Sequence, residues 1–151
     1  MAIRYHNVLT ARCAPEIVWQ AFRDVERWPE WNPVIAKASW NGAAPWQKGS
    51  ALEIQIGGPH PATLHPEIEG VAPPNIVHWV GKQMGVKGEA LFRFDPDPAG
   101  TKIECFQEFS GAATMLVPDR IKREVTAVFD RWLESLRNEA ERLAGVGEAT
   151  A

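Results

Sequence analysis

The stretch from Pro118 to Ala144 restricts what this chain can fold into more than any other. Apolar residues recur in steps of four and three at Ile121, Val125, Val128, Trp132, Leu136, Ala140 and Leu143, and Phe129 and Leu133 widen the stripe on one side. The opposite face carries Asp119, Arg120, Lys122, Arg123, Glu124, Asp130, Arg131, Glu134, Arg137, Glu139, Glu141 and Arg142. That spacing predicts an amphipathic helix of about seven turns. Pro118 suits a first helical turn, where its missing N–H costs nothing, and Gly145 is a natural stop. A lone helix cannot keep a stripe containing Phe129 and Trp132 dry, so the rest of the chain must wrap an apolar surface around it.

Residues 2–12 read as a strand, with Ile3, Tyr5, Asn7, Leu9 and Ala11 on one face and Arg4, His6, Thr10 and Arg12 on the other. Ala14-Pro15-Glu16 opens a short helix that buries Ile17, Val18, Ala21 and Phe22, and Asp24–Asn32 reads as a second, broken by Pro29 and ended before Pro33. From Val34 the pattern turns to strands near 34–41, 50–57, 62–71, 75–82, 88–95 and 101–110. The alternation is clearest in Leu52, Ile54 and Ile56, in Leu64 and Ile68, in Phe92 and Phe94, and in Ile103, Cys105, Gln107 and Phe109. Alternation of this kind belongs to an antiparallel sheet with one wet face. The expected order is strand, two short helices, six strands and one long helix: a twisted meander presenting its apolar face to the terminal helix.

Antiparallel strands sort their connections by end. The turns at 57–61 and 81–88 share an end with the 110–117 connection, and those at 42–49, 71–75 and 95–101 share the other. The second set is stiffened by Pro45, Pro73, Pro74, Pro96 and Pro98. The first is rich in glycine and carries Met84, Val86, Met115, Leu116 and Val117. Glycines ease local opening, and apolar loop tips are costly unless they cover something, so a mouth is expected at that end.

At 151 residues the chain is expected to be one domain spanning 1–151, with residues 144–151 as a frayed tail. A net charge of −3 with balanced cations and anions gives no footprint for nucleic acid. No apolar run approaches a membrane span, and the two cysteines, Cys13 and Cys105, form neither a disulfide framework nor a zinc site. The expectation is a reduced, cytoplasmic protein.

Three motifs carry a family likeness: Pro15-Glu16-Ile17-Val18-Trp19, then Trp28-Pro29-Glu30-Trp31-Asn32-Pro33, then Glu108-Phe109-Ser110-Gly111 ahead of the long helix. Together they resemble the START-like (SRPBCC) superfamily, and within it the polyketide cyclase/dehydrase and lipid-transport group, over about residues 3–144. The resemblance implies an α+β helix-grip fold, β-α-α-β6-α, in which a seven-stranded antiparallel sheet curls around the C-terminal helix and encloses an apolar cavity. Members include carriers and sensors of hydrophobic small molecules, aromatase/cyclases, coenzyme Q-binding proteins and co-chaperone-like domains. No universal catalytic residue carries over.

The strand residues Ile54, Trp79, Phe92, Phe94 and Ile103, with Trp31 at the close of the two-helix segment, are candidates for an apolar wall, and Val125, Val128 and Phe129 of the terminal helix for its roof. Inward polar groups matter most, because burying one without a partner costs about 1–3 kcal/mol. These are Tyr5, Asn7 and Gln107, and Gln107 lies where the resembled family often has a polar or acidic residue near the cavity. It either fixes a ligand's polar end or pairs with Tyr5 or Asn7; a one-residue slip would exchange it for Glu108. His6, His60, His65 and His78 share no ligand spacing and read as solvated, so neither metal nor cofactor is expected. Cys105 reads as core, not as a nucleophile. The leading expectation is binding or transport of a lipid, polyketide or aromatic molecule. A polyketide cyclase or aromatase, working through an inward acid or base, is the alternative. A protein-interaction module presenting Met84, Val86 and Leu116 is a third.

Overall fold

The computed structural model describes residues 2–42, 44–59, 61–83 and 85–146. The chain opens with β1 (Ala2–Ala11), whose alternation sends Tyr5 and Ala11 into the core. Helix α1 (Pro15–Arg23) has Pro15 in its first turn and buries Val18, Ala21 and Phe22, while Ile17 is only half-buried. The segment expected as one helix broken by Pro29 is a one-turn 3-10 helix, Val25–Arg27, followed by α2 (Trp28–Trp31). Pro29 starts α2 and breaks nothing, since a first-turn residue needs no N–H. Trp28 is fully buried, and its indole N–H donates to the Phe22 carbonyl at 2.8 Å.

Strands β2 (Ile35–Trp40), β3 (Leu52–Ile56) and β4 (Ala62–Leu64) form one antiparallel sheet. Strands β5 (Glu67–Ala72), β6 (Ile76–Gln83), β7 (Val86–Asp97) and β8 (Gly100–Ser110) form the other with β1, in the order β1-β8-β7-β6-β5. The strand expected over 62–71 is therefore two, and the described residues hold eight strands instead of the expected seven. The cause is local. Pro66 has no N–H to extend a ladder, and the chain bends at His65-Pro66 from one sheet into the other. β3 follows it around the bend: Leu52 N–H donates to Pro66 O and the Ile68 N–H to Ser50 O, each at 2.8 Å. The closed end is pinned by Gly100, where a Cβ would lie 2.3 Å from the Ala11 carbonyl, and by the Thr101 hydroxyl donating to Cys13 O at 2.7 Å.

The expected terminal helix is α3 (Asp119–Leu143), with Pro118 just outside as its N-cap. At its other end Gly145 takes φ 74°, and its N–H donates to Arg142 O at 3.0 Å while the Val146 N–H donates to Glu141 O at 2.9 Å. Residues 147–151 of the expected tail lie outside the described residues. Phe129, Trp132, Leu133, Leu136 and Ala140 are buried, whereas none of Asp119–Val128 is fully buried. Three acids placed on the wet face turn inward. The Asp130 carboxylate accepts from Tyr5 Oη at 2.7 Å and Asn7 Nδ2 at 2.9 Å. Glu139 accepts from Arg142 at 2.7 and 2.8 Å, and Glu141 accepts from the Arg12 backbone at 2.9 Å. Leu143, assigned to the stripe, is instead 44% exposed. The helix meets β1 as well as α1 and α2, so its buried arc is wider than one apolar stripe and includes polar contacts.

Candidate functional site

The inward face of the larger sheet is a series of rows running across the strands, and what each row carries decides where space remains. The row nearest the glycine-rich end is Ile3, Phe109, Gly88 and Gly81. Next comes Tyr5, Gln107, Ala90, Trp79 and Ile68, then Asn7, Cys105, Phe92 and Val77, and last Leu9, Ile103 and Phe94. The two deeper rows are filled. Phe92 packs on Phe22 of α1 at 5.0 Å between ring centroids, and Phe94 on the same ring at 5.4 Å. The outer rows lack side-chain volume at Gly81, Gly88 and Ala90, and there the sheet and α3 stand apart.

The result is a cavity of about 440 Å³ between β4, the open ends of β6–β8 and α3. Trp79, Gln107, Phe109, Phe129 and Trp132 give its inner wall, and Thr63, His65, Lys82, Gln83 and Val86 lie toward the rim. A side chain at either glycine would press its neighbour by a few tenths of an ångström. A Cβ at Gly81 would sit 3.3 Å from the His65 carbonyl, and one at Gly88 3.2 Å from the Phe109 ring. A second cavity of about 340 Å³ lies beside the first, under the N-terminal half of α3, and includes Ile56, Ile121, Val125 and Val128.

Gln107 is 6% exposed and donates only to Cys105 Sγ, at 3.4 Å. Burial pushes the Cys105 thiol up to about 12, so it stays protonated. Sulfur is a weak partner, which leaves most of the carboxamide's capacity for whatever enters the cavity. The indole N–H of Trp132 is buried without a hydrogen-bond partner. Tyr5 and Asn7 do not pair with Gln107, because both turn to Asp130. Burial first, and then the bond to Asp130, push the Tyr5 phenol above its ordinary 10.0.

The structure thus brings Trp79, Gln107 and Phe129 together around the first cavity, with Val86 at its rim, and places Val125 and Val128 with Phe129 around the second. Ile54, Phe92, Phe94 and Ile103 are at most 1% exposed and line neither; the last three belong to the rows below the hollow, and Ile54 lies on β3 of the other sheet. Trp31 lies at the other end, beside Trp40, Trp46 and Glu139 in a separate groove. Met115 and Leu116 occupy a short 3-10 helix, Ala112–Leu116, and are 68% and 84% exposed; they touch neither cavity. Met84 and His60 lie outside the described residues. On the outer face, His6 and His78 pair with Glu104 at 2.8 Å and Glu89 at 2.7 Å. The described residues contain no cluster of His, Cys, Asp and Glu suited to a metal ion, and no helix among them is long and apolar enough to cross a membrane.

Sequence reasoning passed over Phe109, Trp132 and His65 as lining groups. The signal that finds them is an absence: on inward-facing positions, Gly81, Gly88 and Ala90 leave a gap that their neighbours must border.

Residues 3–147 match the family model described as polyketide cyclase/dehydrase and lipid transport. Among solved structures, the di-domain aromatase/cyclase StfQ of the steffimycin biosynthetic pathway superposes with a TM-score of 0.80 at 15% identity, covering 97% of this chain and 53% of that one. The present chain therefore spans about half of that protein. The Zhui aromatase/cyclase from Streptomyces sp. R1128 gives 0.75 at 17% identity, covering 94% and 95% of the two chains. A START superfamily protein from Mycobacterium smegmatis gives 0.74 at 17% identity, covering 93% and 98%. At these identities the likeness is one of fold. Comparison with curated proteins by sequence gives no match.

Proposed function

Because the chain belongs to the polyketide cyclase/dehydrase and lipid-transport family, we propose that it binds a hydrophobic small molecule in the cavity between the sheet and α3. The observation that carries this reading is the cavity itself: about 440 Å³, walled by Trp79, Phe109, Phe129 and Trp132, with one inward carboxamide at Gln107. Small-molecule sites typically enclose roughly 300–1,000 Å³ and combine apolar walls with a few placed polar groups. Covering apolar ligand surface here is worth about 25 cal/mol per Å², and Gln107 orients the ligand's polar end. In this reading Trp79, Gln107, Phe129 and Val86 contact the ligand, while Phe92, Phe94 and Ile103 form the floor that keeps it out of the core.

A cyclase would need groups that move protons on its substrate. Among the described residues that line the first cavity there is no carboxylate, and His65, the one imidazole among them, is exposed at the rim. That favours binding over turnover, since general acid–base work needs a group within hydrogen-bond reach of the reacting atom.

Trp79 and Trp132 make the test direct. Titration with a fatty acid or a polyphenol should change tryptophan fluorescence in a saturable way, and native mass spectrometry should show a one-to-one complex. Gln107→Leu should weaken a hydroxylated ligand by about 1 kcal/mol, roughly fivefold, and leave a purely hydrocarbon ligand unaffected. Absence of any saturable response would refute the proposal.

A further inference from the structure

The two cavities under α3 adjoin. They share Ala62 and Leu64 of β4, Phe109 of β8 and Phe129 of α3. The partition centres on two rings, Phe109 from β8 and Phe129 from α3, stacked with centroids 5.9 Å apart and planes at 21°. On one flank Phe109 lies against bare backbone, because its neighbour across the strands is Gly88. A phenylalanine so placed can turn about its side-chain bonds without meeting a Cβ there, and side-chain rotations are fast compared with ligand exchange.

The chambers differ in chemistry. The first holds Gln107 within and His65, Lys82 and Gln83 toward its rim. The second, about 340 Å³, is walled by Ile56, Leu64, Ile121, Val125 and Val128, with charge, among the described residues, only at Glu124 and Arg131. A compact ligand fills the first alone. A long one has an apolar place to go only if the ring pair parts.

We propose that the ligand is a single-tailed amphiphile, its polar head in the Gln107 chamber and its aliphatic tail passing between Phe109 and Phe129 into the chamber under Ile121 and Val125. The inference rests on the binding reading above and names the ligand class of that site. The slit between two parted rings admits a thin chain and rejects a fused ring system, so the Phe109–Phe129 pair sets ligand shape.

The test uses the full chain, with octanoate and hexadecanoate competing against anilinonaphthalene sulfonate. In the wild type, hexadecanoate should bind at least about tenfold more tightly than octanoate, because its extra methylenes leave water in the second chamber. Val125→Trp places an indole in that chamber from a half-exposed helix position, and Ala127→Trp does so from an exposed one. Either substitution should cut the hexadecanoate advantage to within about twofold. If both variants fold and keep the wild-type advantage, or if the wild type binds the two acids alike, the second chamber takes no tail and the proposal is overturned while the binding reading stands. If neither acid displaces the probe from the wild type, the amphiphile proposal is overturned, and the binding reading falls with it only if the polyphenol titration is also without a saturable response.

Discussion

The two halves of α3 have the same sequence periodicity and opposite surroundings. From Phe129 to Ala140 the stripe is buried against Trp28, Phe92 and Trp79; Trp132 alone meets the ring of Trp28 at 5.4 Å and that of Phe92 at 6.2 Å. From Asp119 to Val128 an equally apolar stripe, Ile121, Val125 and Val128, stays half-exposed over a hollow. The C-terminal half holds the fold, reaching the larger cavity at Phe129 and Trp132, and the N-terminal half lies over the smaller one. The difference does not come from the helix. It comes from what faces it: aromatic rows in one case, and glycine, alanine and the edge of β4 in the other.

The sharpest way to break this comparison is to truncate one residue in each half. Leu136→Ala, in the fully buried half, should cost about 2–5 kcal/mol of stability, and Val125→Ala, over the hollow, well under about 1 kcal/mol, as read by urea denaturation. Equal costs would mean that the halves are packed alike.

Next in size is the junction, where Tyr5 and Asn7 hold Asp130 at the sheet edge. Tyr5→Phe should cost about 1.5–3 kcal/mol, the range for a hydrogen bond to a charged group. The folded phenol is raised above 10.0, so its stabilisation is complete below that pH and is lost as pH climbs past it toward the higher folded value. Stability should fall above about pH 10 in the wild type and less steeply in Tyr5→Phe. Tyr5 is the chain's sole tyrosine, so tyrosinate absorbance reports on it alone and should appear only with unfolding.

The smallest effect should come from Glu141, in the packed half. Burial raises its carboxyl, but the backbone and side-chain bonds from Arg12 outweigh that and hold it below its ordinary 4.5. Its contribution is therefore present above that pH and disappears as pH falls. Glu141→Gln should lower stability at neutral pH by about 1 kcal/mol and flatten the acid limb of a pH–stability curve.

Most of the architecture is written in local periodicity. The α3 stripe, the parity of β1 and β8, and the sorting of loops by end all follow from spacing. Parity names the face on which a side chain lies but not its depth along the strand, which is why Phe92, Phe94 and Ile103 were expected at the cavity and lie beneath it. The inward turn of Asp130 and Glu141 escapes a helical wheel for a different reason. Their partners, Tyr5 and Asn7 for the first and Arg12 for the last, are more than 120 residues away. The bend at Pro66 was visible as a residue but not as a boundary between sheets, because Ala62–Val71 alternates on both sides of it.

That bend has a consequence for how such a protein can change. The vacancy beneath the helix is framed by main chain: a proline that swings the chain from one sheet to the other, and two strands that meet glycine to glycine. Side chains decorate this frame without creating it. Descendants of the same scaffold could therefore exchange wall residues, and with them their cargo, while the room itself persists; a side chain at Gly81 or Gly88 would crowd that frame whatever the decoration.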